Sequence, residues 1–511
     1  MGTMKKLNLT TAQVAAVMAI LTAGTKLLGF VREMVLANYF GAGEVTDAYG
    51  MAQSIPNTLL AGVVSAVAIS YMPILSGKVE KEGEAAGNLY TSRLLNALMV
   101  LICGAIALGA VFARPLVRLF APGFAGTQAE LTVWYLRIAF FAVLFNAFIY
   151  IFEAYLQYKN VFHPQIVLGY SQSIAIIAFI VIAAKTDVRL LVFGIAAGYA
   201  LRGFGCWALA ARHGYSYTPD FHMSGAVKEA ILLALPIFIG GSVVQINTFV
   251  DRMLASGLAK GSVSALNYAN EIINAIVMLT VSILVTIVYP RLNQAFTQGD
   301  TERIGELTER GISVLAIVAI PFALGAMVYA GPVIRLVYQR GAFDETAARL
   351  TAGALLFYAI GLPFLAANQL ITKVFYSLHD TKTAVGCSIA SVACNIALNL
   401  LLVRPMAHAG LALATSIAQI VNAVLLTVMF RRKYPEIGLL RDPIKLLKIF
   451  SLAGGAVGIS YLCFRLLGDT IKCSLLITLA GTVAAAGIAY LVLLKAAKFE
   501  EISLIRDLFR R

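Results

Sequence analysis

Apolar stretches of about twenty residues recur along this chain almost from end to end, and no other feature constrains its fold as strongly. A helix of that length crosses the hydrocarbon core of a bilayer. A soluble chain of 511 residues would have to wet its surface, yet 60% of these residues are hydrophobic, 13% are charged, and the mean hydropathy is +0.83. Apolar runs and their breaks place spans near 11–39, 46–74, 91–113, 129–157, 163–184, 188–211, 226–257, 262–289, 309–329, 346–376, 382–403, 408–430, 446–466 and 473–494. The expected fold class is an all-α polytopic membrane protein with about 14 transmembrane helices.

The formal net charge of +14 does not point to nucleic acid, because the basic residues gather at the ends of apolar runs. Lys78, Lys81, Arg212, Arg291, Arg431, Arg432 and Lys433 fall on one side of the membrane under this count, and the opposite loops are poorer in Lys and Arg. Excess positive charge marks the cytoplasmic side, so both termini are expected there. The segment Met1–Thr11 shows no cleavage-type pattern, and the apolar run after it, longer than a signal peptide's, is expected to be a retained first helix. Cys103, Cys206, Cys387, Cys394, Cys463 and Cys473 are scattered, with no CxxC and no His cluster, and read as small packing residues.

Two apolar spans carry an adjacent charged pair: Phe30-Val31-Arg32-Glu33-Met34 and, 219 residues later, Phe249-Val250-Asp251-Arg252-Met253. A charged side chain at mid-membrane costs roughly 2.5–3.5 kcal/mol on insertion scales, so such residues usually line a wet pathway or pair with one another. The spacing recurs elsewhere. Pro115-Leu116-Val117-Arg118-Leu119 is echoed 217 residues on by Pro332-Val333-Ile334-Arg335-Leu336, Pro73-Ile74-Leu75 at the same offset by Pro290-Arg291-Leu292, and Gly43 at 218 by Gly261. The chain therefore reads as a duplication of six spans. Six is even, so the lobes are expected to be parallel repeats about an axis along the membrane normal. The expected divisions are 1–222, 223–440 and, at 441–511, two appended helices with a basic amphipathic tail in which Ile502, Ile505, Leu508 and Phe509 share a face.

The polar residues inside the spans are the candidate site. Lys26 and Arg32 are six apart on the first span, about 120° around the axis, so snorkelling toward one surface does not account for both. Arg32 offers a planar fork and Lys26 a point charge, a combination suited to an anion. The plainer alternative pairs Arg32 with Glu33, Asp47 or Asp251. Asp47 follows a glycine-rich turn and reads either as the cap of the second span or as a gating ion pair. Gln245, Asn247, Asp251 and Arg252 form a polar stripe in the second half, joined by Asn270 and Glu271 on the next span. Asn368, Gln369 and Lys373 form a third group. For these the plainer role is hydrogen bonding between helices. Pro56, just before Asn57, and Pro363 interrupt the backbone ladder inside long runs, as hinges or passive kinks. A Walker-type loop, HExxH and GxSxG are all absent, so any uphill transport needs an ion gradient or the membrane potential rather than a cofactor.

Several segments together carry a resemblance. Lys26-Leu27-Leu28-Gly29-Phe30-Val31-Arg32-Glu33, Phe40-Gly41-Ala42-Gly43, Thr46-Asp47-Ala48-Tyr49 and Ile55-Pro56-Asn57 resemble the opening of MurJ/MviN-type lipid II flippases. Tyr338-Gln339-Arg340-Gly341-Ala342-Phe343, the stretch from Phe375 to Thr383 and the stretch from His408 to Ala414 continue the likeness over most of the chain. The resemblance implies the fourteen-helix, two-lobed fold of the multidrug/oligosaccharidyl-lipid/polysaccharide exporter superfamily. It implies no enzyme, but a flippase carrying undecaprenyl-pyrophosphate-linked lipid II from the inner to the outer leaflet of the bacterial cytoplasmic membrane by alternating access through a central cationic cavity. Implied partners are the lipid-linked pyrophosphoryl sugar, membrane lipids and the cell-wall synthesis machinery.

By the same resemblance Arg32 matches a family arginine used in substrate handling, Lys26 stands where the family has another arginine, and Asp47 keeps a family aspartate. With Arg252, Asn57 and Gln245, Lys26 and Arg32 make the expected substrate-binding set. Glu33, Asp47, Asp251 and Glu271 are the expected gating or ion-pair residues, and Asn247, Asn270, Gln369 and Lys373 the expected cavity lining. The chain departs from the family at Leu60-Ala61, where many members have Arg-Arg, and at Asn270-Glu271, where they have Asp-Arg. Two other readings stay open: an exporter of a different lipid-linked oligosaccharide, and a cation-coupled multidrug antiporter, against which the basic first span argues.

Overall fold

The apolar runs fold as helices, and no strand interrupts them among the described residues. This computed structural model describes residues 11–278, 283–438, 443–470, 475–497 and 499. Lys5, Lys6, Cys473 and the amphipathic tail expected beyond Phe499 lie outside the described residues. The chain runs through α1 (Thr11–Phe40), α2 (Glu44–Pro56), α3 (Gly62–Glu82), α4 (Glu84–Val111), α5 (Ala113–Phe120), α6 (Gly126–Tyr158), α7 (His163–Lys185) and α8 (Phe193–Arg212). It continues through α9 (Gly225–Ser256), α10 (Ser262–Val277), α11 (Ile283–Thr297), α12 (Thr301–Val328), α13 (Ala330–Tyr338), α14 (Glu345–Ser377), α15 (Thr381–Lys433), α16 (Pro443–Thr470) and α17 (Leu475–Ala496). Among the described residues ten helices are long and apolar enough to cross a membrane: α3, α4, α6, α7, α8 with the 3₁₀ turn before it, α12, α14, α15, α16 and α17.

Two irregularities have local causes. Pro56 closes α2, and a π-helical turn, Asn57–Ala61, joins it to α3. Proline donates no N–H and its ring crowds the carbonyl one turn back, so the ladder is re-spaced there; such bulges are common at functional sites. The 53 residues of α15 turn back at Ala407, whose φ is 51°, so that Ser391 Oγ donates to Ala418 O at 2.6 Å across the hairpin. Gly410 lies so close to Leu402 that an added Cβ would meet its carbonyl oxygen at 2.4 Å. The two spans expected at 382–403 and 408–430 are thus two arms of one tight hairpin.

The duplication is visible in element lengths. α4 and α12 each have 28 residues, and α6 and α14 each have 33. After α4 and α12 come the short helices α5 and α13, which hold the repeated Pro-Leu/Val-Val/Ile-Arg-Leu motif and were not among the expected spans. Pro115 and Pro332 each sit in a first helical turn, where the missing N–H would have had no partner inside the helix.

The residues cluster into two compact units. The first holds α1 to α9, residues to Ser264, and 341–343. Its axis is α6, packed by α2, α3, α4 and α8, while α7 lies against α1 and α8. Gly194 and Gly198, one turn apart on α8, allow close approach to α7: a Cβ at Gly198 would stand 2.8 Å from Gln172 O. The division after Ser264 falls downstream of the lobe boundary expected at 222/223, because α9 packs along α3. In the second unit α14 packs on α12, α11 and α15, and α16 and α17 pack on each other. Ile317 of α12, Ile449, Ala453 and Ala456 of α16, and Tyr490 and Leu494 of α17 form an apolar cluster. The Tyr490 hydroxyl satisfies itself there by donating to Ile317 O at 3.1 Å.

Candidate functional site

The first charged pair sits on α1 and closes on itself. Arg32 Nε and Nη2 donate to Glu33 Oε1 at 3.2 and 2.9 Å. Glu33 is buried and Arg32 half-buried, with Tyr49 of α2 and Tyr199 of α8 close enough to act on its charge. Both bonds go to one carboxylate oxygen, so the Nη1 edge of the guanidinium is uncommitted among the described residues. Lys26, lower on the same helix, is exposed and has no hydrogen-bond or ion-pair partner among the described residues.

Beside this pair the first unit forms a cleft. Its walls are Gln53, Pro56 and Asn57 after α2, Ala139, Ala142, Val143 and Asn146 on α6, and Ile195 and Tyr199 on α8. Tyr199 belongs both to this cleft and to the surroundings of Arg32, and Gln53 hydrogen-bonds Tyr49. Three amides and a phenol thus line one cleft, and its Tyr199 lies near enough to the Arg32 guanidinium to act on its charge. That set can donate to phosphoryl oxygens and both donate to and accept from sugar hydroxyls. Asn57, at the start of the π turn, is exposed.

Asp47 does not cap its own helix. The start of α2 is closed by Gly43 and Thr46, with Gly43 N–H donating to Thr46 Oγ1 at 3.0 Å. The Asp47 carboxylate instead accepts from Gly261 N–H at 2.7 Å, Ser264 N–H at 2.8 Å and the Ser264 hydroxyl at 2.5 Å. It therefore holds the first turn of α10, where unpaired N–H groups and the positive end of the helix dipole favour an acid. This corrects the cap assignment, because the sequence near Asp47 showed which helix it began and not which one it faced. Lys260 pairs with Glu44 in the same layer. Backbones meet there as well: Ala342 N–H donates to Asn38 O at 2.8 Å, and Gly41 and Gly261, both at positive φ, leave no room for a Cβ.

The second charged pair is handled differently. Arg252 of α9 donates through Nη1 to Gly50 O of α2 at 3.1 Å. Asp251 and Asn247 are half-buried on α9, and Gln245 is exposed. In the second unit Asn270 is exposed and Glu271 half-buried on α10. On α14, Asn368 donates to Gln419 O and Oε1 at 3.0 and 2.8 Å, an interhelical tie, while Gln369 is half-buried. The Lys373 ammonium lies 5.1 Å from the Tyr289 ring and 5.8 Å from the Tyr376 ring, within cation–π range.

Sequence reasoning missed Gln53, Asn146 and Tyr199, which look like ordinary polar residues in a helical bundle. It also missed an ion pair: Arg202 of α8 donates through Nε and Nη2 to Glu153 Oε1 of α6 at 3.2 and 2.6 Å, and through Nη1 to Gln172 Oε1 of α7 at 2.9 Å. The usable signal was a lone charge inside each apolar run, Leu201-Arg202-Gly203 and Phe152-Glu153-Ala154, the same anomaly that singled out Arg32.

Comparison with known proteins gives a consistent set of likenesses. The profile of the family described as "Lipid II flippase MurJ" matches residues 36–481. A probable lipid II flippase MurJ of Rhizobium meliloti (strain 1021) is 26% identical over 96% of this chain and 94% of its own length. A second, from Bdellovibrio bacteriovorus, is 28% identical over 96% of both chains. Among solved structures, a lipid II flippase MurJ in an inward closed conformation superposes with a TM-score of 0.81 at 23% identity, covering 94% of this chain and 98% of that one. An inward-facing multidrug resistance MATE family transporter of the MOP superfamily gives 0.67 at 11% identity, covering 82% and 98%. These two likenesses carry the fold.

Proposed function

This chain belongs to the lipid II flippase MurJ family, and from that premise we propose that it carries lipid II from the inner to the outer leaflet of the bacterial cytoplasmic membrane. The observation that carries the reading is Arg32, which keeps one edge of its fork uncommitted beside a cleft of amide and phenol groups. A pyrophosphate arriving there gains charge-assisted, bidentate hydrogen bonds from the guanidinium. Glu33 keeps the charge compensated until then, and it is the group the phosphate displaces or shares. Gln53, Asn57, Asn146 and Tyr199 take up sugar hydroxyls, and the prenyl chain stays in lipid. Access to the site alternates between the two sides, driven by an ion gradient, the membrane potential or downstream consumption of the product.

The test is Arg32→Ala. Translocation of lipid II should be lost while membrane insertion stays near that of the unaltered protein; normal translocation by this variant removes Arg32 from the mechanism. One observation favours a second substrate of the same class. Leu60 and Ala61, in the π turn, and Asn270-Glu271, on α10, place no positive charge where many family members have an Arg-Arg or an Asp-Arg pair. Expression in cells depleted of their own lipid II flippase separates the two, since a well-expressed chain that fails to rescue growth favours another lipid-linked oligosaccharide.

A further inference from the structure

The Glu153–Arg202–Gln172 triad lies in apolar spans and takes no part in the mechanism above, yet it ties together the two helices that wall the cleft. A half-buried ion pair is weak evidence for stability, because desolvation offsets much of the attraction. What such a pair fixes is geometry. α6 and α8 pack against each other, and their register can be read from two levels: Glu153 meets Arg202, and seven residues earlier on each helix Asn146 and Ile195 both line the cleft. The offset of 49 residues is the same at both levels, and seven residues is close to two full helical turns. Tyr199 stands one turn before Arg202 on the same helix.

The surroundings leave little slack. Gly203, next to Arg202, approaches α6 so closely that an added Cβ would stand 3.1 Å from Phe145 O and 3.3 Å from Phe148 Cβ. Gly198, one turn earlier, is held equally close to Gln172 of α7. Contact through glycine faces is tight but smooth, and it allows a helix to slide or rotate. The three hydrogen bonds of Arg202, two to α6 and one to α7, remove that freedom.

We propose that Glu153, Arg202 and Gln172 are positioning residues that lock the register of α8 against α6 and α7, and so set the separation of Asn146 from Tyr199 and the fit of the headgroup between them. The inference rests on the lipid II reading for its substrate, but not for its geometry. Losing the lock lets Tyr199 drift, which weakens headgroup binding more than it slows the transition between states.

The experiment has two arms. In proteoliposomes, Arg202→Ala and Glu153→Gln should raise the apparent KM for lipid II about tenfold with the maximal rate within about twofold, whereas a purely structural loss lowers the rate with the amount of folded protein. Arg202→Lys, which keeps the charge without the three-bond fork, should show an intermediate KM. The charge-swapped pair Glu153→Arg with Arg202→Glu should bring KM back to within about threefold of the unaltered value. In the second arm, run without substrate in a cysteine-free background, disulfide formation between Asn146→Cys and Tyr199→Cys should change in rate when Arg202→Ala is added and return with the swap. A well-folded Arg202→Ala protein with unchanged KM and unchanged cross-linking overturns the proposal, as does a swap that restores neither. Failure of the unaltered protein to move lipid II overturns the substrate reading alone, and the cross-linking arm still decides the register.

Discussion

The two charged pairs look like copies in the sequence, and the fold puts them to different uses. Arg32 turns along its own helix to Glu33, so its charge is answered locally and one edge of the fork stays available beside the cleft. Arg252 reaches across to a backbone carbonyl of α2, a contact that joins helices. A charged pair within a span therefore marks a place where polarity is needed, without saying whether the need is ligand or architecture. What separates the cases is where each fork is directed, along its own helix or across to another.

The sharpest way to break this comparison is to truncate each arginine. Arg32→Ala should reduce lipid II translocation roughly 100-fold or more, the scale expected when a buried charge-paired contact loses one partner. Arg252→Gln should cost about tenfold, the low end for a hydrogen bond to a charged group. Equal losses in the same transport assay would erase the distinction between the two pairs.

Asp47 probes the architectural side between these extremes. Asp47→Ala removes three hydrogen bonds from the start of α10 and should lower stability by about 2 kcal/mol in detergent melting curves, the upper end for a helix cap. A variant that melts like the unaltered protein would show that the carboxylate serves something other than the cap.

The smallest effect is expected where an ion pair ties a span to the segment between two helices. Arg93 donates to Asp220 Oδ2 at 3.0 and 2.7 Å, and with Asn88, Ser92 and Asn96 it seats the segment between α8 and α9 on α4. The Arg93 hydrogen bond, helped by His222 N–H, holds the Asp220 carboxyl below its ordinary range. A depressed carboxyl stabilises the native state above the unfolded pKa of about 3.9, and that contribution fades as pH falls through the lower folded value. Amide exchange over residues 213–224 should therefore quicken only in acid. Asp220→Asn should make exchange there slightly faster at neutral pH and remove the acid step, with little change in translocation. An unaltered acid step in that variant assigns it to another group.

Much of the fold could be read from the chain. Apolar run length marks helices because lipid offers the backbone no other partner, and the repeated Pro-x-x-Arg motif anticipated the matched order of α4–α5 and α12–α13. Pro56 marked an interruption because the chemistry of proline is local, although the π turn it produces was not foreseeable. The site was only partly legible. Asn57, singled out beside Pro56, lines the cleft, but Gln53, Asn146 and Tyr199, which line it too, carry no signal of their own.

Composition, run length and spacing by themselves determined that this chain is a polytopic helical protein with a duplicated plan and charge inside its spans, because burial in lipid and backbone hydrogen bonding act on each segment separately. Only the tertiary structure decided which charge meets which: Asp47 with the start of α10 rather than α2, Arg202 with Glu153, Arg252 with Gly50. Those choices depend on the rotation and register of one helix against another, and the pattern within a single helix leaves both undetermined.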